Sequence, residues 1–582
     1  MKETVEAITR SKCGLLSLHI LQRRLGELLR MNRFLLVLDN LWAEDRRFWE
    51  IFWVPLLAGE SEKEKECWAL LQGRTFPLGD SEEDKGLVEI GTKIAEKCKG
   101  SLLAAKSLSD LLHDSKAEEE WMIILSEMAV LEKDQNGVSP SLQISYHHLP
   151  FHLKRCFAYC FIFPNGCAFE KDEVVRLWMA EGLIERDGRR RFDVTGGRYF
   201  DDLLWRSFFE VSSTCQQGKQ RYQIPSLMHD LARFVAKNEF VRLENEISDV
   251  TAEWVRYATL FFLDQKPLAF EKLYEYENLR TSAFLILKEK IPNSVTNLYN
   301  LQTLELNECY KLLELPQGTS KLVNLHHIGM HLDWDNITDL NSMPQGIGKL
   351  TSLQTLSRFV ITSNNKSNID ELRDLNLRGE LCISKLENVI DSNDAQDAIL
   401  RGKEYISNLM LWWTGKDYSD EEVNRSGNVI KSLHPNSKLK YLRIDNYPGR
   451  ELPDWIEDQT FSRLDTLRLY HCKNCILLPL LGKLPRLKNL QLQGMHELRS
   501  MGTLVGFPSL EILVLWDMRN VVRWFENEEG TIPKLRELSI SNCPNLLELT
   551  CLPTTLVKLE VRNCNKLPPI AVPSPFCYLV IK

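Results

Sequence analysis

The segment LPRLKNLQLQGM, residues 484–495, carries the clearest structural pattern in the chain. Leu487, Leu490 and Leu492 follow the spacing L-x-x-L-x-L, and close variants of it return in four neighbouring segments. These segments are FSRLDTLRLYHC (461–472), FPSLEILVLWDM (507–518), IPKLRELSISNC (532–543) and TTLVKLEVRNC (554–564). The leading leucines of the five, Leu464, Leu487, Leu510, Leu535 and Leu556, lie 21 to 25 residues apart. A period of that length predicts a repeat with one short strand in each unit.

The spacing predicts a leucine-rich-repeat solenoid, or horseshoe, over residues 298–582. Its leucines point into the core, and the x positions stand on the concave face. In several units a cysteine follows the last core aliphatic residue by three positions, where the chain turns inward beneath the strand. These cysteines are Cys309, Cys472, Cys543 and Cys564. Four of the fifteen cysteines therefore have a structural explanation.

Aromatic and arginine side chains at the x positions predict a protein-binding surface, because these residue types dominate binding hot spots. We expect six residues to be exposed there: Tyr441, Arg443, Arg468, Tyr470, Arg536 and Glu560. A solvated face without a partner is the alternative interpretation.

The repeat pattern is irregular between residues 357 and 435. Within it, segment 392–413 has a helical pattern first and a strand-like pattern from Leu409 to Trp413. We interpret this segment as an insertion that docks back onto the solenoid.

Residues 80–245 have helical periodicity instead. Aliphatic residues recur at three- and four-residue steps in 85–112, and further helical segments follow at 141–164, 170–185 and 198–213. The strand-like RYQI then precedes a helix that begins near Met228. Three helices and a small hairpin in this order predict a winged-helix domain.

Bulk composition excludes several classes of protein. The 582 residues carry a net charge of −8, which gives no electrostatic footprint for nucleic acid. No window of eighteen apolar residues and no signal-peptide pattern is present, so we expect a cytoplasmic chain without an integral membrane segment. The fifteen cysteines are scattered, which indicates reduced structural thiols. Cys472 and Cys475 have the spacing of a zinc clip, but no second pair follows at zinc-ribbon distance.

The segment FLLVLDNLW, residues 34–42, is an apolar strand that ends in Asp39. Such strands deliver a carboxylate to phosphate sites, but the loop G-x-x-x-x-G-K-[ST] that would hold the phosphates occurs nowhere in the chain. Backbone N–H groups and the lysine of that loop provide most of the phosphate binding. ATP hydrolysis needs positioned phosphates and a metal ion, so we expect no enzymatic activity.

Taken in order, the landmarks resemble those of plant nucleotide-binding leucine-rich-repeat (NLR, or NB-ARC) disease resistance proteins. RCFAYCFIFP, EVVRLWMAEGLI and MHDLARFVA are similar to the winged-helix landmarks of that family. KCKGSLLAAKSL resembles its GLPLA segment, ECWALLQGRTF its helical subdomain, and FLLVLDNLW its Walker B strand. Trp42 is typical of the coiled-coil-bearing branch.

The resemblance implies a multidomain α/β and α fold. Its parts would be a remnant of a P-loop NTPase-like sheet (1–58), a helical subdomain (59–135), a winged-helix domain (136–245), a linker with irregular repeats (246–297) and the solenoid (298–582). In the family, ADP or ATP with Mg²⁺ binds between the first three parts. The resemblance then implies that Asp39 holds Mg²⁺ through water and that His229 contacts the β-phosphate.

Several positions depart from the family pattern. Asn40 replaces a second acid, Leu102 replaces the proline that lines the adenine pocket, and the strand ending in Thr-Thr-Arg has no counterpart. The chain is therefore expected to be truncated at its N-terminus, to lack the P-loop and to have an impaired nucleotide switch.

The resemblance implies a plant defence function, with a pathogen effector or a host protein bound on the concave face. One alternative is a decoy or regulatory repeat scaffold that partners intact NLR proteins and binds no nucleotide. The other is a winged-helix DNA-binding regulator, which the acidic net charge opposes.

Overall fold

The fold is described from a computed structural model. The structure describes seventeen stretches of the chain: 60–75, 85–113, 117–132, 137–185, 192–212, 220–243, 254–261, 275–285, 290–306, 309, 311–330, 340–363, 368–500, 507–523, 532–549, 552–568 and 578–581. The expected sheet remnant at 1–58, with Asp39 and Asn40, lies outside these residues.

The chain divides into two compact units. The first comprises residues 1–178 and 183–236, and the second comprises residues 179–182 and 237–582.

Four helices open the described part of the first unit: α1 (Glu60–Thr75), α2 (Lys85–Lys97), α3 (Leu102–His113) and α4 (Glu118–Leu131). Helix α1 packs against α2 and α3. An ion pair joins Arg74 Nη1 of α1 to Asp110 Oδ1 of α3 at 2.7 Å. Three glutamates occupy the first turn of α4, where their negative charge interacts favourably with the positive end of the helix dipole. The helical character predicted for this region is therefore present.

The rest of the first unit has the predicted order of helices and a hairpin. The elements are α5 (Pro140–His147), α6 (Phe151–Tyr159), α7 (Lys171–Ala180), α8 (Phe192–Trp205), β1 (Glu210–Val211), β2 (Tyr222–Gln223) and α9 (Ser226–Ala236). Strands β1 and β2 pair antiparallel. Buried aromatic rings form the core, and the Trp178 indole donates a hydrogen bond to the Cys156 carbonyl at 3.0 Å. This arrangement confirms the winged-helix prediction.

The second unit is built on two parallel sheets in which strands follow one another in chain order. The six-stranded sheet contains β3 (Phe240–Leu243), β4 (Tyr257–Phe261), β5 (Thr281–Leu285), β6 (Thr303–Glu305), β7 (His327–Gly329) and β8 (Thr355–Leu356). The ten-stranded sheet contains β9 (Arg358–Val360), β10 (Gly379–Ser384), β11 (Ile406–Trp412), β12 (Tyr441–Asp445), β13 (Thr466–Tyr470), β14 (Asn489–Gln493), β15 (Ile512–Trp516), β16 (Glu537–Ser541), β17 (Lys558–Arg562) and β18 (Tyr578–Ile581). The first parallel strand thus begins at Phe240, ahead of residue 298, where the solenoid was expected to start.

The leucines of the repeat form columns in the core. Strands β12 to β17 pair in register, which aligns Leu442, Leu467, Leu490, Leu513, Leu538 and Leu559 in one column. All six are buried. The predicted assignment of leucines to the core is confirmed.

Each of these repeats ends its strand in the same way. The residue just before the inward-turning position has a positive φ, between 51° and 66°, at Asn446, His471, Gly494, Asp517, Asn542 and Asn563. Glycine, asparagine and aspartate tolerate this left-handed conformation better than other residues. The turn then places Cys472 and Cys543 in the core beneath the sheet.

The interpretation of residues 392–413 as an insertion is wrong. Strand β11 (Ile406–Trp412) lies between β10 and β12 and pairs in parallel with both. Its core residues Ile406, Leu409 and Leu411 keep the repeat spacing, with isoleucine in the first leucine position. That substitution concealed an ordinary repeat, while the helical half is the short α10 (Ser392–Asp397). A longer helix, α11 (Asp420–Ser432), leads into β12.

Among the described residues, no helix has the length and apolar character needed to cross a membrane. Within the same part of the chain, no group of three or more histidine, cysteine or acidic side chains could hold a metal ion.

Candidate recognition surface

The side of the ten-stranded sheet that faces away from the leucine core is called here the outer face. Because side chains alternate along a strand, each strand of β12 to β17 presents three residues on it. The middle row consists of Arg443, Arg468, Gln491, Val514, Ser539 and Glu560. One flanking row begins at Tyr441 and the other at Asp445. The x positions of the sequence therefore lie in three straight rows.

Arginine and aromatic side chains pack against each other at one end of these rows. The Arg443 guanidinium lies over the Tyr470 ring, 4.4 Å from its centroid. The Arg468 guanidinium lies over the Tyr441 ring, at 5.5 Å. Arg443 also donates to Asp445 Oδ2 from Nε at 3.2 Å and from Nη2 at 2.6 Å. Cation–π contact and charge pairing thus hold this group together.

These contacts correct one expectation from the sequence. Arg443 is only 4% exposed and Arg468 only 8%, so their predicted exposure is wrong. Tyr441 and Tyr470 are half-buried beside them. The physical reason is that the aromatic rings and the Asp445 carboxylate cover the guanidinium groups. Whether these four residues bind a partner stays a prediction.

The same packing continues on β9 to β11. The Arg358 guanidinium lies 5.7 Å from the centroid of the Trp412 ring. Cys382 and Met410 point to the outer face, yet both are buried beneath Trp412 and Tyr441. Burial raises the pKa of the Cys382 thiol to about 11. Side chains on the outer face therefore cover one another along this half of the sheet.

The two remaining predicted contact residues lie at the other end. Arg536 is exposed but precedes β16, and its carbonyl oxygen accepts a hydrogen bond from the Lys558 backbone N–H at 2.9 Å. It therefore stands outside the three rows. Glu560 lies in the middle row, is half-buried, and forms an ion pair with Arg562 at 2.5 Å. The structure does not bring Arg536 and Glu560 together with the arginine–aromatic group.

Between these two ends, β15 presents an apolar surface that the sequence reasoning missed. Its three outward residues are Ile512, Val514 and Trp516, which we call the Trp516 patch. Trp516 is 46% exposed, and the other two are half-buried. The segment ILVLW contained the signal, because its x positions are as apolar as its leucines.

Polar, mostly uncharged side chains border the Trp516 patch on both sides. Strand β14 contributes Asn489, Gln491 and Gln493, and strand β16 contributes Glu537, Ser539 and Ser541. A large exposed ring inside a polar rim is the arrangement typical of binding hot spots. This patch is thus the most open apolar part of the outer face in the described repeats.

The histidine expected to contact a phosphate has a different environment. His229 lies in α9, is 4% exposed, and has its Nε2 atom 3.1 Å from the Phe163 carbonyl oxygen. A carbonyl oxygen can only accept, so Nε2 carries the proton and donates it. The Nε2 donor of His229 is therefore directed at a backbone carbonyl oxygen.

The resemblance also implies nucleotide contacts for Leu102, Asp39 and Asn40. Leu102 is the first residue of α3 and is 45% exposed, while Asp39 and Asn40 lie outside the described residues. The nucleotide contacts implied for these residues and for His229 therefore stay predictions.

Two segments of the chain match known protein families. Residues 162–232 match the disease resistance protein winged helix domain, and residues 369–495 match the R13L1/DRL21 leucine-rich repeats. Both matches agree with the elements described above, including the repeat at β11.

Full-length relatives extend the likeness over nearly the whole chain. RGA1 of Solanum bulbocastanum is 32% identical over 97% of this chain and 63% of its own length. Disease resistance protein RGA2 of the same plant is 32% identical over 94% of this chain and 62% of its own. RPP13-like protein 1 of Arabidopsis thaliana is 31% identical over 97% and 63%. The chain thus spans less than two thirds of the length of these relatives, and its winged helix and its repeats are similar to those of plant disease resistance proteins.

Proposed function

We propose that this chain acts in plant defence by binding a protein partner, either a pathogen effector or a host protein, on the outer face of the ten-stranded sheet. The Trp516 patch is the observation that carries the proposal. Trp516 is 46% exposed, yet tryptophan is usually well covered in a folded protein. Relatives described as disease resistance proteins support the defence context.

The patch favours one kind of partner. Ile512, Val514 and Trp516 offer apolar area, and the neighbouring amides of Gln491 and Gln493 offer donors and acceptors but no charge. We expect the partner to insert an apolar side chain beside Trp516 and to bond the amide rim with backbone or neutral polar groups. The buried arginines at the other end of the rows act mainly as support for the surface.

Photo-crosslinking in leaf tissue tests the proposal. A photoreactive amino acid in place of Gln493, directly opposite Trp516 on β14, would capture a partner that sits on the patch. We then expect Trp516→Ala to weaken binding of the captured protein to the purified chain roughly thirtyfold, the effect of a 2 kcal/mol hot spot.

The control is Leu547→Ala, which removes an equally exposed apolar residue outside the three rows. Unchanged affinity with this variant, together with the loss for Trp516→Ala, supports the proposal. Equal affinity for the wild type and Trp516→Ala would contradict it.

A second candidate is a regulatory repeat scaffold that works without nucleotide. The contact between His229 and Phe163 favours it, because the Nε2 donor of His229 is directed at a backbone carbonyl oxygen. Binding, rather than catalysis, would then be the whole activity, and we place it in the cytoplasm. Calorimetric titration of the chain with ADP and Mg²⁺ tests this candidate.

A further inference from the structure

Two consecutive repeats carry a cysteine at the same inward-turning position. The position lies three residues after the last core aliphatic residue of each strand from β12 to β17. Its occupants, in order, are Tyr447, Cys472, Met495, Met518, Cys543 and Cys564. Among the repeats that the structure describes, Cys543 and Cys564 are the one neighbouring pair of cysteines in this column.

The register of the sheet brings these two thiols together. Strands β16 and β17 pair up to Ser541 and Arg562, and the Asn542 N–H still donates to the Arg562 carbonyl at 3.0 Å. The two cysteines continue this register by one residue. Parallel strands lie about 4.8 Å apart, which falls within the Cα–Cα range of about 4.4–6.8 Å that a disulfide requires.

The side chains are already in contact. The Cys543 and Cys564 thiols are within hydrogen-bonding reach of each other. Each also lies near the last carbonyl of its own strand, with Cys543 Sγ 3.5 Å from the Ser541 oxygen and Cys564 Sγ 3.4 Å from the Arg562 oxygen. Both are present as thiols. Little backbone movement is therefore needed to join them.

The two thiols differ in access and acidity. Cys564 is half-buried between the exposed Asn563 and Asn565, whereas Cys543 is 1% exposed. A hydrogen bond from Cys543 lowers the pKa of the Cys564 thiol, because it stabilises the thiolate. The same contact, with burial, raises the pKa of Cys543. Cys564 is thus suited to react first and Cys543 to resolve the product.

We propose that Cys543 and Cys564 form a modification site for hydroperoxides, at which oxidation closes a disulfide between two consecutive repeats. The Cys564 thiolate attacks the terminal peroxide oxygen, the O–O bond breaks, and Cys564 sulfenic acid forms while hydroxide leaves, or an alkoxide where the hydroperoxide is organic. The Cys543 sulfur then attacks the Cys564 sulfur, the S–O bond breaks, and water leaves with the Cys543 proton. Two thiols are oxidised by two electrons in total, and one hydroperoxide is reduced.

Limited peroxide treatment of the reduced, purified chain tests the proposal. Digestion with trypsin and a glutamate-specific protease separates Cys543, in residues 538–548, from Cys564, in residues 563–566. We expect the disulfide-linked pair of these peptides to be the first cross-linked product. We also expect Cys543→Ser to accumulate a sulfenic acid at Cys564 that dimedone traps.

The matched comparison lies in the same sheet. Cys472 and Cys475 are both buried, and burial raises the pKa of both thiols, so we expect them to remain reduced under conditions that oxidise Cys564. Cys472→Ser should leave the 543–564 product unchanged, and Cys564→Ser should abolish it. Circular dichroism checks that each variant is folded. Prior oxidation of Cys472 and Cys475, or a disulfide that joins Cys564 of two separate chains, would overturn the proposal.

Discussion

The guanidinium carbon of Arg443 lies 4.4 Å from the centroid of the Tyr470 ring on the neighbouring strand. The same guanidinium donates twice to the Asp445 carboxylate, which is as deeply buried as Arg443 itself. An arginine expected to meet a partner is therefore part of the internal support of the sheet.

Replacement of Arg443 should destabilise the second unit strongly. Arg443→Ala leaves the Asp445 carboxylate buried without its charge partner, so we expect a loss of about 3–5 kcal/mol in the free energy of unfolding. Urea unfolding measures this loss. Arg443→Met with Asp445→Asn removes both charges and should cost clearly less than Arg443→Ala alone. A double variant no more stable than the single variant would count against this account.

His471 tests the left-handed turn of the repeats. Its φ is 54°, and the equivalent residue of the next repeat is Gly494. A β-branched side chain is strained at positive φ, so we expect His471→Val to lower the free energy of unfolding by about 1–3 kcal/mol. His471→Gly, which adopts this φ without strain, should stay close to the wild type. Equal losses for valine and glycine would show that the ring contacts of His471 matter more than the backbone.

Lys403 predicts a pH dependence. It is 5% exposed, and its ammonium donates to the carbonyls of Leu372 at 2.6 Å and Leu375 at 2.7 Å. Burial lowers the pKa of Lys403 from 10.5 to about 8. Between these pH values the unfolded chain binds a proton that the folded chain does not, so the free energy of unfolding should rise with pH.

Lys403→Met removes this titration. We therefore expect the free energy of unfolding of the wild type, relative to Lys403→Met, to increase from pH 8 to pH 10.5. Urea unfolding at several pH values measures the difference. A difference that stays constant across that window would refute the assignment.

Nucleotide binding is the fourth test. Because the Nε2 proton of His229 is donated to Phe163, we expect calorimetric titration of the 582-residue chain with ADP and Mg²⁺ to give no binding tighter than about millimolar. Micromolar binding that His229→Ala weakens would refute this and restore the role implied by the family.

His229→Ala also has a structural readout. The Phe163 carbonyl loses its donor, so we expect a loss of about 1–3 kcal/mol in stability. His147 is exposed, so His147→Ala is the matched control and should leave the free energy of unfolding nearly unchanged.

Much of the architecture follows from local pattern. The L-x-x-L-x-L spacing predicted the parallel repeat and its leucine core, and helical periodicity with RYQI predicted the winged helix. The prediction failed at residues 392–413, where Ile406 occupies a leucine position. Isoleucine there breaks the L-x-x-L-x-L motif but keeps the spacing of buried aliphatic residues. Side-chain volume and polarity matter to the core, and the identity of the aliphatic residue matters less.

The candidate surface was harder to infer. The spacing placed Arg443 and Arg468 on the same face, since alternation along a strand depends on the backbone alone. The exposure of a residue on this face depends on its neighbours on adjacent strands, which no local pattern contains. Tyr470 and Asp445 cover Arg443, while the small and amide residues beside β15 leave Trp516 open. Periodicity thus suffices to say which side of the sheet a residue takes, and packing between repeats determines which of those residues a partner can reach.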